Sequence, residues 1–285
     1  MPGFTRGWGA RKLAAGALVI ALSMFAGGVA VAAGSPAIHT KTPHSANDIT
    51  NIDVLRQQIR NYYGDPLGSG TFSNTSNYAK EARSVAAKGE AWLAFVKAFH
   101  LHPGTGHRAI VLDVDDTTLA TWNYEIASNW AYNPVSNATY VNGELFPAVP
   151  GMVKLAKIAK AEGYAIFFIT GRGALQEGAT LGNLTDSDSI GLDAGYPTPT
   201  TLSDGEDGLF TKPAGVSTYP AYLLTACAAD PLGVCTTDHY KVATRGHIIS
   251  EGYDIVANFG DQFSDLSGGN EDRTFKMPNP NYFIP

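Results

Sequence analysis

The sequence predicts a three-layer α/β/α fold around a central parallel sheet, and two observations carry that expectation. Three short, largely apolar runs each stop at polar residues: Ala109-Ile110-Val111-Leu112 at Asp113, Ala165-Ile166-Phe167-Phe168-Ile169 at Thr170-Gly171-Arg172, and Ile255-Val256-Ala257-Asn258-Phe259 at Gly260-Asp261. Runs of this kind read as strands covered on both faces. A helix-like stretch from Met152 to Ala161 precedes the second run, and strands alternating with helices predict a parallel sheet with right-handed crossovers. In such sheets reactive groups gather beyond the carboxyl ends of the strands, where all three runs leave their polar residues.

The other segments follow in chain order. Arg6, Arg11 and Lys12 precede an apolar run from Leu13 through Phe25 and the small residues Ala30-Val31-Ala32, so residues 1–33 read as a secretory signal peptide and the protein as secreted. The apolar run is shorter than the roughly 20 residues that span a bilayer, which argues against a stable membrane anchor. Residues 34–46 are polar and aperiodic and read as a flexible leader, leaving 47–285 as one domain. Within it, 47–102 should hold N-terminal helices and 103–285 the core. Ile52, Val54, Leu55 and Ile59 mark an amphipathic helix before Tyr62-Tyr63-Gly64. A longer helix should run from Tyr78 to Phe99, burying Ala82, Val85, Ala86, Trp92, Phe95 and Val96, and stop at Pro103-Gly104.

Composition bounds the function. With 44% hydrophobic and 16% charged residues the chain can bury a sizeable core, and a formal charge of −6 gives it no basic footprint for a nucleic-acid duplex. The two cysteines, Cys227 and Cys235, are expected to form a disulfide in an exported protein, and no second Cys or His pair has zinc spacing. Asn74, Asn137 and Asn183 each begin an Asn-x-Ser/Thr triplet.

The chemistry concentrates in Asp113-Val114-Asp115-Asp116-Thr117-Thr118. Asp113 and Asp115 are two apart at the end of a strand, so both carboxylates can enter one pocket. Like charges so placed repel unless a cation holds them. The segment resembles the first motif of haloacid dehalogenase (HAD) superfamily phosphatases, in which the first Asp attacks phosphorus and the second is general acid and base. Thr170 is similar to the second motif, Lys241 stands where the third motif's lysine is expected, and Gly260-Asp261-Gln262-Phe263-Ser264-Asp265 resembles the fourth. Ile169-Thr170-Gly171-Arg172, Ala179-Thr180-Leu181-Gly182-Asn183-Leu184, Gly252-Tyr253-Asp254-Ile255-Val256-Ala257-Asn258 and the tail Phe275-Lys276-Met277-Pro278-Asn279-Pro280 narrow the resemblance to subfamily IIIB, the class B-like acid phosphatases with their plant vegetative storage protein relatives. The likeness weakens between Gly191 and Asp238.

That resemblance implies a HAD-like Rossmannoid core with a small cap or insertion, and a Mg²⁺-dependent acid phosphatase with an acidic optimum. Asp113, Asp115, Thr170 and Lys241 would be catalytic, and Thr117, Gly171 and Arg172 would bind substrate. Asp113, Asp261 and the backbone carbonyl of Asp115 would hold the metal, an oxygen donor set that suits magnesium, and Asp265 would support the metal or the lysine. The substrate would be a small phosphomonoester, nucleotides among the candidates; self-association is left open. Two rival readings use the same residues, a phosphotransferase that hands the phosphoryl group to another alcohol and a storage or binding protein with a vestigial site. Arg172 is equally suited to touch substrate or to pair with an acid. Trp122, Tyr124, Trp130, Tyr132 and Tyr140 are expected mainly to pack, with a leaving-group pocket as the alternative. Lys212 competes with Lys241, but Pro213 beside it points to a turn. His239 and His247 lie in no Arg-His-Gly motif, which disfavours a phosphohistidine route.

Overall fold

The computed structural model describes residues 41–99, 101, 106–185 and 190–284. The expected signal peptide, most of the leader and the Pro103-Gly104 stop lie outside them. Among the described residues, helices α1 (Ile52–Tyr63) and α2 (Asn77–Ala98) precede strand β1 (His107–Leu112). Helices α3 (Trp122–Ser128), α4 (Pro134–Asn142) and α5 (Met152–Ala161) lead to β2 (Ala165–Gly173), and α6 (Glu177–Thr185) to β3 (Leu209–Lys212). Helices α7 (Ala221–Ala226) and α8 (Thr237–Ser250) then precede β4 (Tyr253–Gly260), α9 (Phe263–Leu266) and β5 (Thr274–Lys276).

The five strands form one sheet in the order β3-β2-β1-β4-β5, parallel at every pairing. Alternation along a strand explains the layers. Ile110 and Leu112 of β1 join Ile166 and Phe168 of β2 on one face, packed with Ala82, Ala86 and Leu93 of α2 and Leu155 of α5. Ala109 and Val111 join Phe167 and Ile169 on the other, packed with Leu223 of α7 and Tyr240 and Ile248 of α8. The expected three-layer arrangement is therefore present, and both faces are apolar because both are covered.

Several boundaries differ from expectation. Strand β2 continues past Ile169 to Gly173, so Thr170 lies within it and not just after it. Lys212 ends an edge strand instead of sitting in a turn. In α1 the expected apolar face is largely open, with Ile52, Val54 and Leu55 exposed, and the helix is held instead by Tyr63, which stacks on Tyr78 and Trp122. Gly64 closes α1 in the left-handed conformation at φ 67°, a position that favours glycine. In α2 Phe95 faces outward, while Leu93 takes the core position.

Cys227 and Cys235 form the expected disulfide, tying the end of α7 to the approach of α8. Asn183 is fully buried and donates to the carbonyls of Phe146 and Leu192, so its triplet offers no accessible glycosylation site, whereas Asn74 is exposed. No helix among the described residues is long and apolar enough to cross a membrane.

Candidate active site

The site forms where β1 and β4 end side by side, with α8 packed against them. The Asp113 amide donates to the Phe259 carbonyl at 3.0 Å, which aligns the chain after β1 with the end of β4. Lys241 projects from the buried face of α8, and its ammonium donates to Asp113 Oδ1 and to Asp265 Oδ1, each at 2.5 Å. Carboxylate oxygens of Asp113, Asp261 and Asp265 lie within 4.8 Å of one another, and all three residues are buried. Gly260 permits this approach, since a Cβ there would sit 2.2 Å from the Asp265 Cβ.

Neighbouring groups fix each acid. The second oxygen of Asp265 accepts from the Gln262 amide at 2.8 Å. Asp261 Oδ2 accepts from the Gln262 and Asn279 side-chain amides, both at 2.6 Å, and the Thr117 hydroxyl reaches its Oδ1 at 3.4 Å. Thr117 thus faces Asp261, and the two amides are members of the site that sequence reasoning missed. Asn279 lies in the quoted Pro278-Asn279-Pro280 tail, which was a resemblance signal without an assigned role.

Electrostatically the cluster is overloaded with acid. Burial, with Asp265 adding to it, pushes the Asp113 carboxyl well above the usual carboxylate range. Burial, then Asp265 and Asp116, pushes Asp261 up to about 8. Burial alone would lower Lys241, but Asp113 and Asp265 outweigh it and hold the ammonium charged. Once ionised, three carboxylates facing one ammonium would leave two negative charges in a pocket of hard oxygen donors, a set that fits a divalent cation.

Asp115 stands apart from that cluster. Its side chain is paired with Arg172, whose Nη2 donates to Oδ1 at 2.7 Å and whose Nε lies 3.1–3.2 Å from both oxygens. Arg172 also donates to the Thr180 hydroxyl at 3.0 Å and lies over the Phe146 ring. Of its two expected roles, the structure displays the acid pair. The Asp115 carboxylate is not among the clustered acids. Thr170 is buried, with its hydroxyl accepting from the Arg172 amide at 3.2 Å, and Gly171 is exposed beside it.

Beneath the loop that follows β1, Asp116 adopts a left-handed φ of 52° and accepts from the Thr121 amide and hydroxyl. Burial raises it to about 7 despite those bonds. Glu125 of α3, which sequence reasoning overlooked, is likewise raised to about 7 by burial and by Asp115. Trp122 and Tyr124 are buried and pack as expected, Trp122 stacking on Tyr63 and donating to Asp65 Oδ2 at 3.0 Å, while Tyr132 is exposed. His239 pairs with Asp230 at 2.6 Å, and His247 approaches Asp204 and Glu206.

Known proteins are similar to this chain. The stem 28 kDa glycoprotein of Glycine max is 29% identical over 197 residues, covering 67% of this chain and 64% of that protein. Acid phosphatase 1 of Solanum lycopersicum is 27% identical over 183 residues, covering 63% of this chain and 60% of that protein. The chain therefore spans less than two thirds of the length of these relatives. The crystal structure of the class C acid phosphatase from Bacillus anthracis with tungstate bound shares the fold, with a TM-score of 0.53 at 19% identity over 80% of this chain and 85% of that one. The sequence model of HAD superfamily subfamily IIIB (acid phosphatase) matches residues 23–202 and 229–285, passing over part of the segment in which the resemblance weakens. With most of its length matched, the chain belongs to the HAD superfamily, subfamily IIIB, the acid phosphatase family.

Proposed function

We propose that this chain is an exported, Mg²⁺-dependent acid phosphatase that hydrolyses small phosphomonoesters through an aspartyl-phosphate on Asp113. The observation that carries the reading is the placement of Lys241 between Asp113 and Asp265, with Asp261 in the same buried cluster. Three distant chain segments meet there, an arrangement that packing alone would not favour, because buried charges are costly unless paired.

In the proposed cycle a carboxylate oxygen of Asp113 attacks phosphorus and the bond to the leaving oxygen breaks, its electron pair going to that oxygen. Asp115, protonated and released from its ion pair with Arg172, supplies the proton that makes the leaving group a neutral alcohol. Asp115 then takes a proton from water as the water oxygen attacks phosphorus. The acyl-phosphate bond breaks, freeing the Asp113 carboxylate and inorganic phosphate. Lys241 offsets negative charge on the phosphoryl oxygens, and Thr170 and the backbone amides after Asp113 position them. Asp113, Asp261, Asp265 and the Asp115 carbonyl would hold magnesium, which supplies charge neutralisation between the anionic nucleophile and the anionic ester. The disulfide supports an exported location.

Phosphate release from a chromogenic aryl phosphate tests the reading. Asp113→Asn should reduce turnover to background, and a chelator should do the same to the parent until Mg²⁺ is restored. Turnover that survives both treatments would reject it.

A further inference from the structure

Helix α8 carries more of the site than its lysine. Asp238, Lys241 and Arg245 recur three and four residues apart, so they share one face of the helix, and all three reach the segment that follows Asp261. Lys241 takes the Asp265 carboxylate, and Asp238 accepts from the Ser267 hydroxyl. Arg245 is fully buried, and its fork takes three carbonyls of one loop: Asp265 through Nη1 at 2.7 Å, Ser267 through Nη2, and Gly269 through Nε at 3.1 Å. Asn258 at the inner end of β4 donates to the same Asp265 carbonyl at 2.8 Å. The carboxylate facing Arg245 is Glu271, 3.1 Å away and itself buried.

A buried guanidinium is a costly way to fill space, and an apolar side chain of similar volume would pack there without that cost. What the guanidinium adds is geometry, because a planar fork can hold several acceptors at fixed angles. The backbone it holds is the one from which Asp265 meets Lys241 and the Gln262 amide. We infer that Arg245 is a positioning residue for the metal-binding cluster, fixing the 265–269 backbone so that the Asp265 carboxylate stays in register with Asp261 and Lys241. The inference rests on the functional reading above.

The full chain, stripped of metal, is titrated with Mg²⁺ by isothermal calorimetry as the parent, Arg245→Met and Arg245→Lys, and kcat and KM are measured with an aryl phosphate. Loss of a group that orients metal ligands usually costs about 10–100-fold in affinity. Arg245→Met should weaken Mg²⁺ binding by about that factor and lower kcat while KM stays put. Arg245→Lys keeps the charge but lacks the fork and should recover part of the loss. Parent-like Mg²⁺ affinity and kcat in a variant that merely melts earlier would reduce Arg245 to a loop-packing group and overturn the inference. If Arg245→Met does not fold, Arg245→Lys decides alone, and parent-like Mg²⁺ affinity in it has the same consequence. A parent that binds no Mg²⁺ by calorimetry would overturn the functional reading itself, a result distinct from equal binding by parent and variant.

Discussion

At the scale of single residues, Asp113 and Asp115 are two positions apart and face different partners. Asp113 lies against Lys241 in the buried cluster, whereas Asp115 is partly exposed and held by the Arg172 fork. On the proposed reading the first carboxylate is the nucleophile and the second, more exposed one transfers the proton. General acid assistance is generally worth about 10²–10⁴-fold, and it matters most when the leaving alcohol is a poor one. Asp115→Asn should accordingly lower the single-turnover rate of phosphoenzyme formation by about that factor with an alkyl phosphate, and by much less with a nitrophenyl phosphate. Rapid-quench measurement of both esters checks this; an equal loss on the two would remove Asp115 from the proton-transfer role. The two acids were legible in the sequence because an apolar run stops at them, and Asp261 for the same reason. Lys241 was legible only through the family resemblance, since no local pattern distinguishes it from a surface lysine. Asn279 was invisible as a partner of Asp261, because contact between residues so far apart along the chain leaves no periodic trace, and Gln262, although adjacent, because nothing in the sequence says which way its side chain turns.

At the scale of elements, what the sequence disclosed follows from what each element buries. Strands β1, β2 and β4 and helix α5 were readable because their buried residues are apolar. Helix α8 was not, because Lys241, Thr244 and Arg245 share its buried face with Tyr240 and Ile248 and erase the apolar stripe. Strands β3 and β5 are four and three residues long, too short for alternation to show. A tight helix contact yields a prediction at this scale. Gly89 of α2 lies where an added Cβ would come within 2.6 Å of the Leu155 side chain and of the Phe259 ring, one carbon from α5 and the other from β4. Leu155 can yield, but Phe259 is fully buried and stacked on Phe275. Alanine gains about 1 kcal/mol over glycine in helix propensity, and overpacking a filled core costs about 1–3 kcal/mol. Gly89→Ala should therefore bring no net gain and lower stability by up to about 2 kcal/mol, read from the urea midpoint at constant m-value. A more stable variant would show that the sheet yields to α2 at this contact.

At the scale of the whole molecule, the buried acids set how stability responds to pH and to metal. Burial first, and neighbouring acids for Asp261 and Glu125, raise Asp261 to about 8 and Glu125 to about 7, and burial raises Glu271 to about 7 even beside Arg245. In the unfolded chain such groups titrate near pH 4. Between pH 4 and about 8 the folded, metal-free protein therefore binds more protons than the unfolded chain, so its stability must fall as the pH rises through that window. A cation held by Asp113, Asp261 and Asp265 reverses part of this, because it binds the ionised carboxylates that are costly without it. Mg²⁺ at about 100 times its dissociation constant should add about 2.7 kcal/mol, or roughly 5–11 °C in melting temperature for a domain of this size. The shift should be largest near pH 8 and shrink toward pH 4, where protons occupy the same oxygens. Melting curves with chelator and with Mg²⁺ across that range test both slopes together. Metal-free stability that rises with pH, or a Mg²⁺ shift independent of pH, would mean that the acidic cluster is neither as proton-loving nor as metal-seeking as its burial implies.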